Sequence, residues 1–164
     1  MNPTAPILFT ILLLTSCAGL AQTTSPAKPS FTLADLKAQL PQDQDGAFLM
    51  ELSDILNTAT DSAVRSLLQG QPVVTTAQVA IDPKSKPDPG RVTLVRNQIQ
   101  CCAAHLRKCT VVAERPEQAA VFKDQVWVRV AGTLSYRQEG GKFTPFIVVR
   151  EIKKIPLPAD PLIR

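Results

Sequence analysis

The chain has 164 residues, enough for one domain with a hydrophobic core, and its formal net charge is +4 at pH 7. Its basic residues are spread from Lys28 to Arg164, and its aromatic residues are six Phe, one Trp and one Tyr. Nucleic-acid binding requires clustered Lys and Arg with interleaved aromatic residues, so this composition argues against a nucleic-acid partner.

Residues 1–21 have the pattern of a secretory signal peptide. The apolar run Ile7–Leu14 is too short to span a bilayer, and small residues follow it. Two cleavage patterns fit: a small-x-small site before Gln22, and a lipobox that ends at Cys17, whose thiol would carry a lipid. An uncleaved anchor is the third alternative. Each predicts an exported domain, in the periplasm or held at the cell envelope, where disulfides persist.

A linker and a helical segment come next. Residues 22–30 are rich in Ser, Thr and Pro and predict a flexible linker. Apolar residues at helical spacing predict helices at 32–40, behind a Thr cap, at 47–56 and at 62–68. We expect the whole segment, 31–70, to pack on the domain that follows.

Five β-strands are predicted after this segment, from β-branched composition and alternating apolar residues, at 72–82, 91–101, 109–113, 125–136 and 144–155. A helical turn is predicted between the third and fourth strands, and Gly132 predicts a bend where a barrel closes. This element order is that of an OB-fold. The predicted fold is mainly β, a five-stranded OB-like barrel over 71–157 with a helical N-terminal segment. Residues 158–164 are predicted to be a tail along the surface.

Five segments resemble the soluble C-terminal domain of YcgQ-type bacterial membrane proteins, over roughly 48–158. They are Leu68–Val73, Arg96, Cys101–Ala104, Gln125–Leu134 and Ile152–Pro158. The resemblance implies an OB-like barrel, an envelope location and a permease or another envelope protein as partner. It also links the chain to a family with zinc-responsive regulation in some bacteria. Contact with the membrane itself is expected only through a lipid anchor.

The segment CCAAHLRKC at 101–109 holds three of the four cysteines and the only histidine. Thiolate and imidazole are ligands for zinc and copper, so Cys101, Cys102, His105 and Cys109 are candidate metal ligands. Neighbouring side chains in a strand point to opposite faces. A site with one cysteine of the pair, His105 and Cys109 is therefore easier to build than a site with four ligands.

The same cysteines also fit structural and redox roles. A disulfide from Cys109 to Cys101 or Cys102 would leave one thiol unpaired. A disulfide between Cys101 and Cys102 is disfavoured, because the Cα atoms of neighbouring residues lie closer together than disulfide geometry requires. Reduced structural thiols and a reactive redox thiol remain open as well.

A candidate binding face consists of Trp127, Arg129 and Arg96. The alternatives are that Trp127 packs beneath the N-terminal helices, and that the two arginines are either paired on the outer sheet face or solvated. We assign no catalytic residue, because the sequence lacks a P-loop, a GxGxxG segment and a nucleophile elbow. The leading hypothesis is an exported, non-enzymatic binding or assembly module. A metal-handling protein and a thiol redox protein are the alternatives.

Overall fold

The computed structural model describes residues 31–81, 88, 90–101, 105–115 and 122–163. Residues 31–164 form one compact unit, distinct from residues 1–30. The predicted signal peptide, Cys17, the linker and most of the predicted turn at 116–122 therefore lie outside the described residues. Among the helices that are described, none is both long enough and apolar enough to cross a bilayer.

Three short helices precede the barrel: α1 is Leu33–Gln39, α2 is Leu52–Thr58 and α3 is Ser62–Leu68. Polar side chains start each of them. Thr32 and Asp35 form a reciprocal capping box on α1, and the Asp61 carboxylate accepts from two amides at the start of α3. Such caps satisfy amides that the first turn of a helix leaves without partners.

The helix predicted at 47–56 is wrong in its first half. Phe48–Leu49 is a short strand, β1, which pairs in parallel with Val73–Val74, and α2 begins only at Leu52. Gly46 turns the chain with a φ of +77°, a left-handed conformation that favours glycine. Glu51 and Asp54 then form the capping box that starts α2.

Five strands close into a ring, and they are β2 (Pro72–Ala80), β3 (Arg91–Ile99), β4 (Leu106–Glu114), β5 (Trp127–Glu139) and β6 (Lys142–Lys154). The order around the ring is β2–β3–β4–β6–β5 and back to β2. The β4–β6 pair is parallel and the other pairs are antiparallel. This is the strand order of an OB-fold, so the predicted fold class is confirmed.

The bend predicted at Gly132 is present in β5. The pairing of β5 with β6 shifts register between Ala131 and Gly132. A Cβ at Gly132 would lie 2.3 Å from the carbonyl oxygen of Val148. Only glycine lets the two main chains approach this closely, and a bulge of this kind adds the curvature that a small barrel needs.

The barrel interior is filled by alternate, mostly β-branched side chains. They are Val73, Ala77, Val79, Leu94, Cys109, Val111, Ala113, Val128, Val130, Leu134, Ile147 and Val149. Helix α2 packs against β2, β3, β4 and β6, and its Leu52 and Ile55 are fully buried in the same core. The helical segment therefore supplies part of the barrel core.

The predicted surface tail needs correction at its end. Leu162–Ile163 is a strand, β7, which pairs in parallel with β3 at Asn97–Gln98. Ile163 is only 6% exposed and belongs to the main core. Prolines at 156, 158 and 161 limit how the preceding segment pairs, but the chain then returns to the barrel.

Candidate functional site

The barrel opens along a seam between β2 and β3. These strands pair with each other only through Gln78–Ala80 and Thr93–Val95. Beyond that point β1 lies beside β2, and β7 lies beside β3. On the seam side, Thr75–Ala77 and Arg96 have no strand partner within the described part of the chain. The seam is thus a gap in the ring, bordered by two short strands.

Arg96 fills the seam with a buried guanidinium group and is only 6% exposed. It donates to the carboxylate of Glu51, to the main-chain carbonyl of Asp160 and, at 3.4 Å, to the carbonyl of Thr76. Glu51 follows β1, Thr76 is in β2 and Asp160 precedes β7. One side chain therefore ties together three elements that border the seam, and these partners compensate the burial of its charge.

Two buried polar atoms beside the seam lack a hydrogen-bond partner within the described residues. They are the Nε of Arg96 and the Oγ1 of Thr75. A buried polar group without a partner costs about 1–3 kcal/mol. Both groups can donate a hydrogen bond, so an acceptor oxygen would satisfy either of them. Both residues also line the same surface depression.

Two adjoining depressions, of about 500 and about 490 Å³, share Glu51, Arg96 and Asp160. We name them together the seam groove. The groove is lined by apolar and polar residues of the N-terminal segment, β2, β3, β5 and the C-terminal end: Leu40, Pro41, Leu49–Glu51, Asp54, Val74–Thr76, Arg96, Arg129, Pro158, Asp160, Leu162 and Ile163. Such a mixture of apolar surface and a few converging polar groups is typical of binding sites.

The rim of the seam groove is acidic. Its charged residues are three acids and two arginines, namely Glu51, Asp54, Asp160, Arg96 and Arg129. Arg96 faces Glu51, and Arg129 forms an ion pair at 3.4 Å with Asp43, outside the groove lining. The carboxylates of Asp54 and Asp160, both on exposed residues, are thus left in excess on a chain whose net charge is positive.

Two of the three residues of the candidate binding face line the seam groove, and the third, Trp127, does not. Arg96 and Arg129 both line the groove, but Arg96 is buried, contrary to the expectation of a solvated arginine. Trp127 is 8% exposed, and the Arg96 guanidinium lies 5.8 Å from its ring centre, within cation–π range. Trp127 is therefore a packing residue against Arg96 and offers no open ring face for stacking.

Cys101 and His105 meet beside the turn between β3 and β4. Both residues are exposed, and the Cys101 Sγ lies 3.2 Å from the Nδ1 of His105. The amide of Gln100 donates to the carbonyl of His105, which holds the two ends of the turn together. Cys102 lies outside the described residues.

Cys109 lies apart from this pair. It is fully buried in β4, in register with Arg96, and its Sγ faces the side-chain oxygen of Gln98 at 4.0 Å. Burial raises the pKa of the Cys109 thiol, so the thiol stays protonated at neutral pH. A buried, protonated thiol is a poor nucleophile and a poor redox centre.

One expectation for the cysteine cluster is corrected, and another stays a prediction. Cys101 and Cys109 are free thiols, so the expected disulfide from Cys109 is not formed. Within the described residues, no three His, Cys, Asp or Glu side chains gather into a metal-binding group. Cys109 lies in the core whereas Cys101 and His105 lie at the surface, and the fourth predicted ligand, Cys102, is outside the described residues, so the metal site stays a prediction.

Sequence reasoning missed Glu51, Thr75 and Asp160. Glu51 had a local signal, since its spacing to Asp54 fits a capping box, but that signal predicts a helix start and no ion pair. Glu51 and Asp160 are 45 and 64 residues away from Arg96 in sequence. Only the closed ring brings them to it.

Comparison with known proteins gives a family. Residues 68–163 match the family described as the DUF1980 C-terminal domain, which is more than half of the chain. This match agrees with the resemblance to the YcgQ-type soluble domain. No relative was found among curated proteins.

Solved structures give distant likenesses. The Stn1–Ten1 complex of S. pombe is 14% identical over 70% of this chain and 81% of that chain, with a TM-score of 0.38. A small single-stranded DNA-binding protein from Streptomyces coelicolor is 16% identical over 54% of this chain and 95% of that chain, with a TM-score of 0.35.

Proposed function

The chain belongs to the DUF1980 C-terminal domain family, and we propose that its barrel is a binding module without catalytic activity that holds a protein partner in the seam groove. The observation that carries this proposal is that two residues lining one open groove, Arg96 and Thr75, each hold a buried polar atom, Nε and Oγ1, without a hydrogen-bond partner in the described chain. Buried polar groups in native proteins are nearly always hydrogen-bonded. A partner with acceptor oxygens would complete the groove.

The proposal includes export to the cell envelope. The signal-peptide pattern of residues 1–21 supports export, and the YcgQ-type resemblance supports a permease or another envelope protein as partner. Attachment to the membrane would go through a lipid on Cys17. The intact mass of the chain purified from its native envelope tests this part: it distinguishes a lipidated start at Cys17, an unmodified start at Gln22 and an uncleaved chain.

Site-specific photo-cross-linking tests the groove. A benzoyl-phenylalanine probe replaces Leu49, which lines the groove and is 39% exposed. The matched control places the probe at Phe143, which is 37% exposed and lies in β6, next to the turn that follows β5. We expect the Leu49 probe, in cells of the native host, to give one discrete cross-linked protein that the Phe143 probe does not give. Equal products from both positions, or none from Leu49, would reject the groove as a binding site.

A second candidate function, metal handling, is favoured by one observation, the 3.2 Å approach of Cys101 Sγ to His105 Nδ1. A thiolate and an imidazole suit soft ions such as Cu(I) and also zinc. Native mass spectrometry of the purified chain, titrated with Cu(I) or with Zn²⁺, tests it. One bound ion that is lost in Cys101→Ser but kept in Cys109→Ala would support a site at the turn. An ion equally retained in both variants, or none in the wild type, would reject that site.

A further inference from the structure

We propose that the partner segment in the seam groove is an extended peptide that carries a cationic side chain. Its main-chain carbonyl accepts hydrogen bonds from Arg96 Nε and Thr75 Oγ1, and its Lys or Arg side chain lies against the carboxylates of Asp54 and Asp160. This inference rests on the proposed function and specifies the chemistry of the segment that the groove takes.

The unpartnered atoms select for an acceptor that carries no net charge. Arg96 Nε is a donor only, and the hydroxyl of Thr75 can donate, so both are satisfied by oxygen. A carboxylate or phosphate would bring that oxygen with a negative charge next to Glu51, Asp54 and Asp160. Like charges at an interface are strongly unfavourable. A main-chain carbonyl supplies the acceptor without that repulsion.

The rim selects for a cation. Glu51 already faces Arg96, whereas the carboxylates of Asp54 and Asp160 are not paired with any lysine or arginine in the described structure. The other arginine that lines the groove, Arg129, forms an ion pair with Asp43. A lysine or arginine of the partner is the complementary charge, and complementary rim charges favour both encounter and specificity.

The geometry of the seam selects for an extended chain. Thr75–Ala77 lie between β1 and β3 without a strand partner on that side in the described residues. An extended peptide added to such an edge presents carbonyl and amide groups at regular intervals. Arg96 Nε and Thr75 Oγ1 are both covered in this structure. Binding therefore includes a local widening of the seam; β2 and β3 are not paired as strands there, and the hydrogen bond across them that widening breaks is the 3.4 Å contact from Arg96 to the Thr76 carbonyl.

Selection from a phage-displayed library of random dodecapeptides tests this inference on the full purified chain. We expect enriched peptides to share a lysine or arginine and to lack acidic residues beside it. Their Kd should rise about twofold to fivefold in Asp160→Asn, the effect of removing one exposed ion pair. The main-chain carbonyl that holds Arg96 is retained in this variant. Glu139→Gln, at the far hairpin and 64% exposed, is the charge-matched control and should change Kd less than twofold.

The Nε–H resonance of Arg96, followed by NMR during titration with the best enriched peptide, reports the main-chain contact. A shift of this resonance together with the weaker binding of Asp160→Asn supports the inference. Enrichment of acidic peptides, equal Kd values in Asp160→Asn and Glu139→Gln, an unmoved Arg96 resonance or no enrichment at all would each overturn it. In those cases a discrete cross-link from Leu49 would still leave the proposed function standing, whereas loss of that cross-link would remove the proposed function itself.

Discussion

Arg96 and Arg129 show how one residue type serves two roles in the same groove. Both form an ion pair with a carboxylate, but Arg96 is 6% exposed and Arg129 keeps 40% of its side chain exposed. An exposed ion pair contributes little to the free energy of unfolding, because water screens it. A buried guanidinium depends on its hydrogen bonds, because they alone compensate the burial of its charge. The stability of the seam therefore depends on Arg96.

Replacing Arg96 by alanine should lower the free energy of unfolding by about 3 kcal/mol, since it removes charged hydrogen bonds to Glu51 and to the carbonyl of Asp160. Arg129→Ala, which breaks an exposed pair, should lower it by less than about 1 kcal/mol. Urea unfolding followed by circular dichroism measures both. Equal losses in the two variants would show that Arg96 does not hold the seam together.

Cys109 predicts a loss of stability at alkaline pH. Burial raises the pKa of its thiol in the folded chain above the ordinary value of 9.0. The stabilisation that comes from the protonated Cys109 thiol is thus complete below pH 9, and it is lost as the pH rises through the folded-state pKa. The free energy of unfolding, measured from pH 8 to 11, should fall less steeply in Cys109→Ala than in the wild type. Burial also raises the pKa of Tyr136, so a residual slope remains. Parallel curves would count against this role of the Cys109 thiol.

At the scale of elements, the β5–β6 pair depends on its bulge. Gly132→Ala would bring a methyl group to 2.3 Å from the Val148 carbonyl oxygen, a main-chain atom that cannot move without disturbing β6. We expect a loss of about 2–3 kcal/mol, as for other overpacked positions. Gly90→Ala is the control, since its nearest contact is the Asp88 side chain at 3.3 Å. Thermal unfolding should separate the two variants by several degrees, and a common Tm would argue against the close approach.

The short strand β7 should stabilise the barrel despite its two residues. Ile163 is 6% exposed and joins the main core, whereas Leu157, six residues earlier, is 69% exposed. Ile163→Ala should therefore lower the free energy of unfolding by about 2 kcal/mol, and Leu157→Ala should leave it nearly unchanged. Chemical denaturation of both variants checks this. If Ile163→Ala is as stable as Leu157→Ala, β7 does not belong to the cooperative unit.

At the scale of the whole molecule, local patterns predicted the barrel. Alternating apolar residues marked the five strands, and Gly132 marked the bulge, because both signals lie within a few residues of sequence. The stripe of Phe48, Leu49 and Leu52 misled the prediction at β1. Its spacing fits a helix, but Phe48–Leu49 pair with β2 and only Leu52 is helical. The pairing of Phe48–Leu49 with β2 outweighed the helical spacing of the apolar residues.

The seam groove could not be predicted from the sequence. Arg96 and Arg129 were candidates by residue type, but nothing local shows that Arg96 is buried or that Glu51 and Asp160 meet it. For the CCAAHLRKC cluster, in contrast, the sequence pattern suggested a shared site. Its residues are close in sequence, but strand alternation sends Cys109 into the core and leaves Cys101 at the turn. Closeness in sequence therefore does not give Cys101 and Cys109 the same exposure.

Amide hydrogen exchange tests the central claim, that the seam groove is the binding surface, most directly. Exchange rates are measured for the free chain and for the chain in complex with the partner that the Leu49 probe captures. We predict that exchange slows at least about tenfold at Thr75–Ala77 and at Asp160, Leu162 and Ile163, which border the seam, because main-chain contacts suppress local opening. Exchange at the hairpin around Glu139–Phe143 should stay the same. Protection confined to that hairpin, or none at the seam, would contradict the claim.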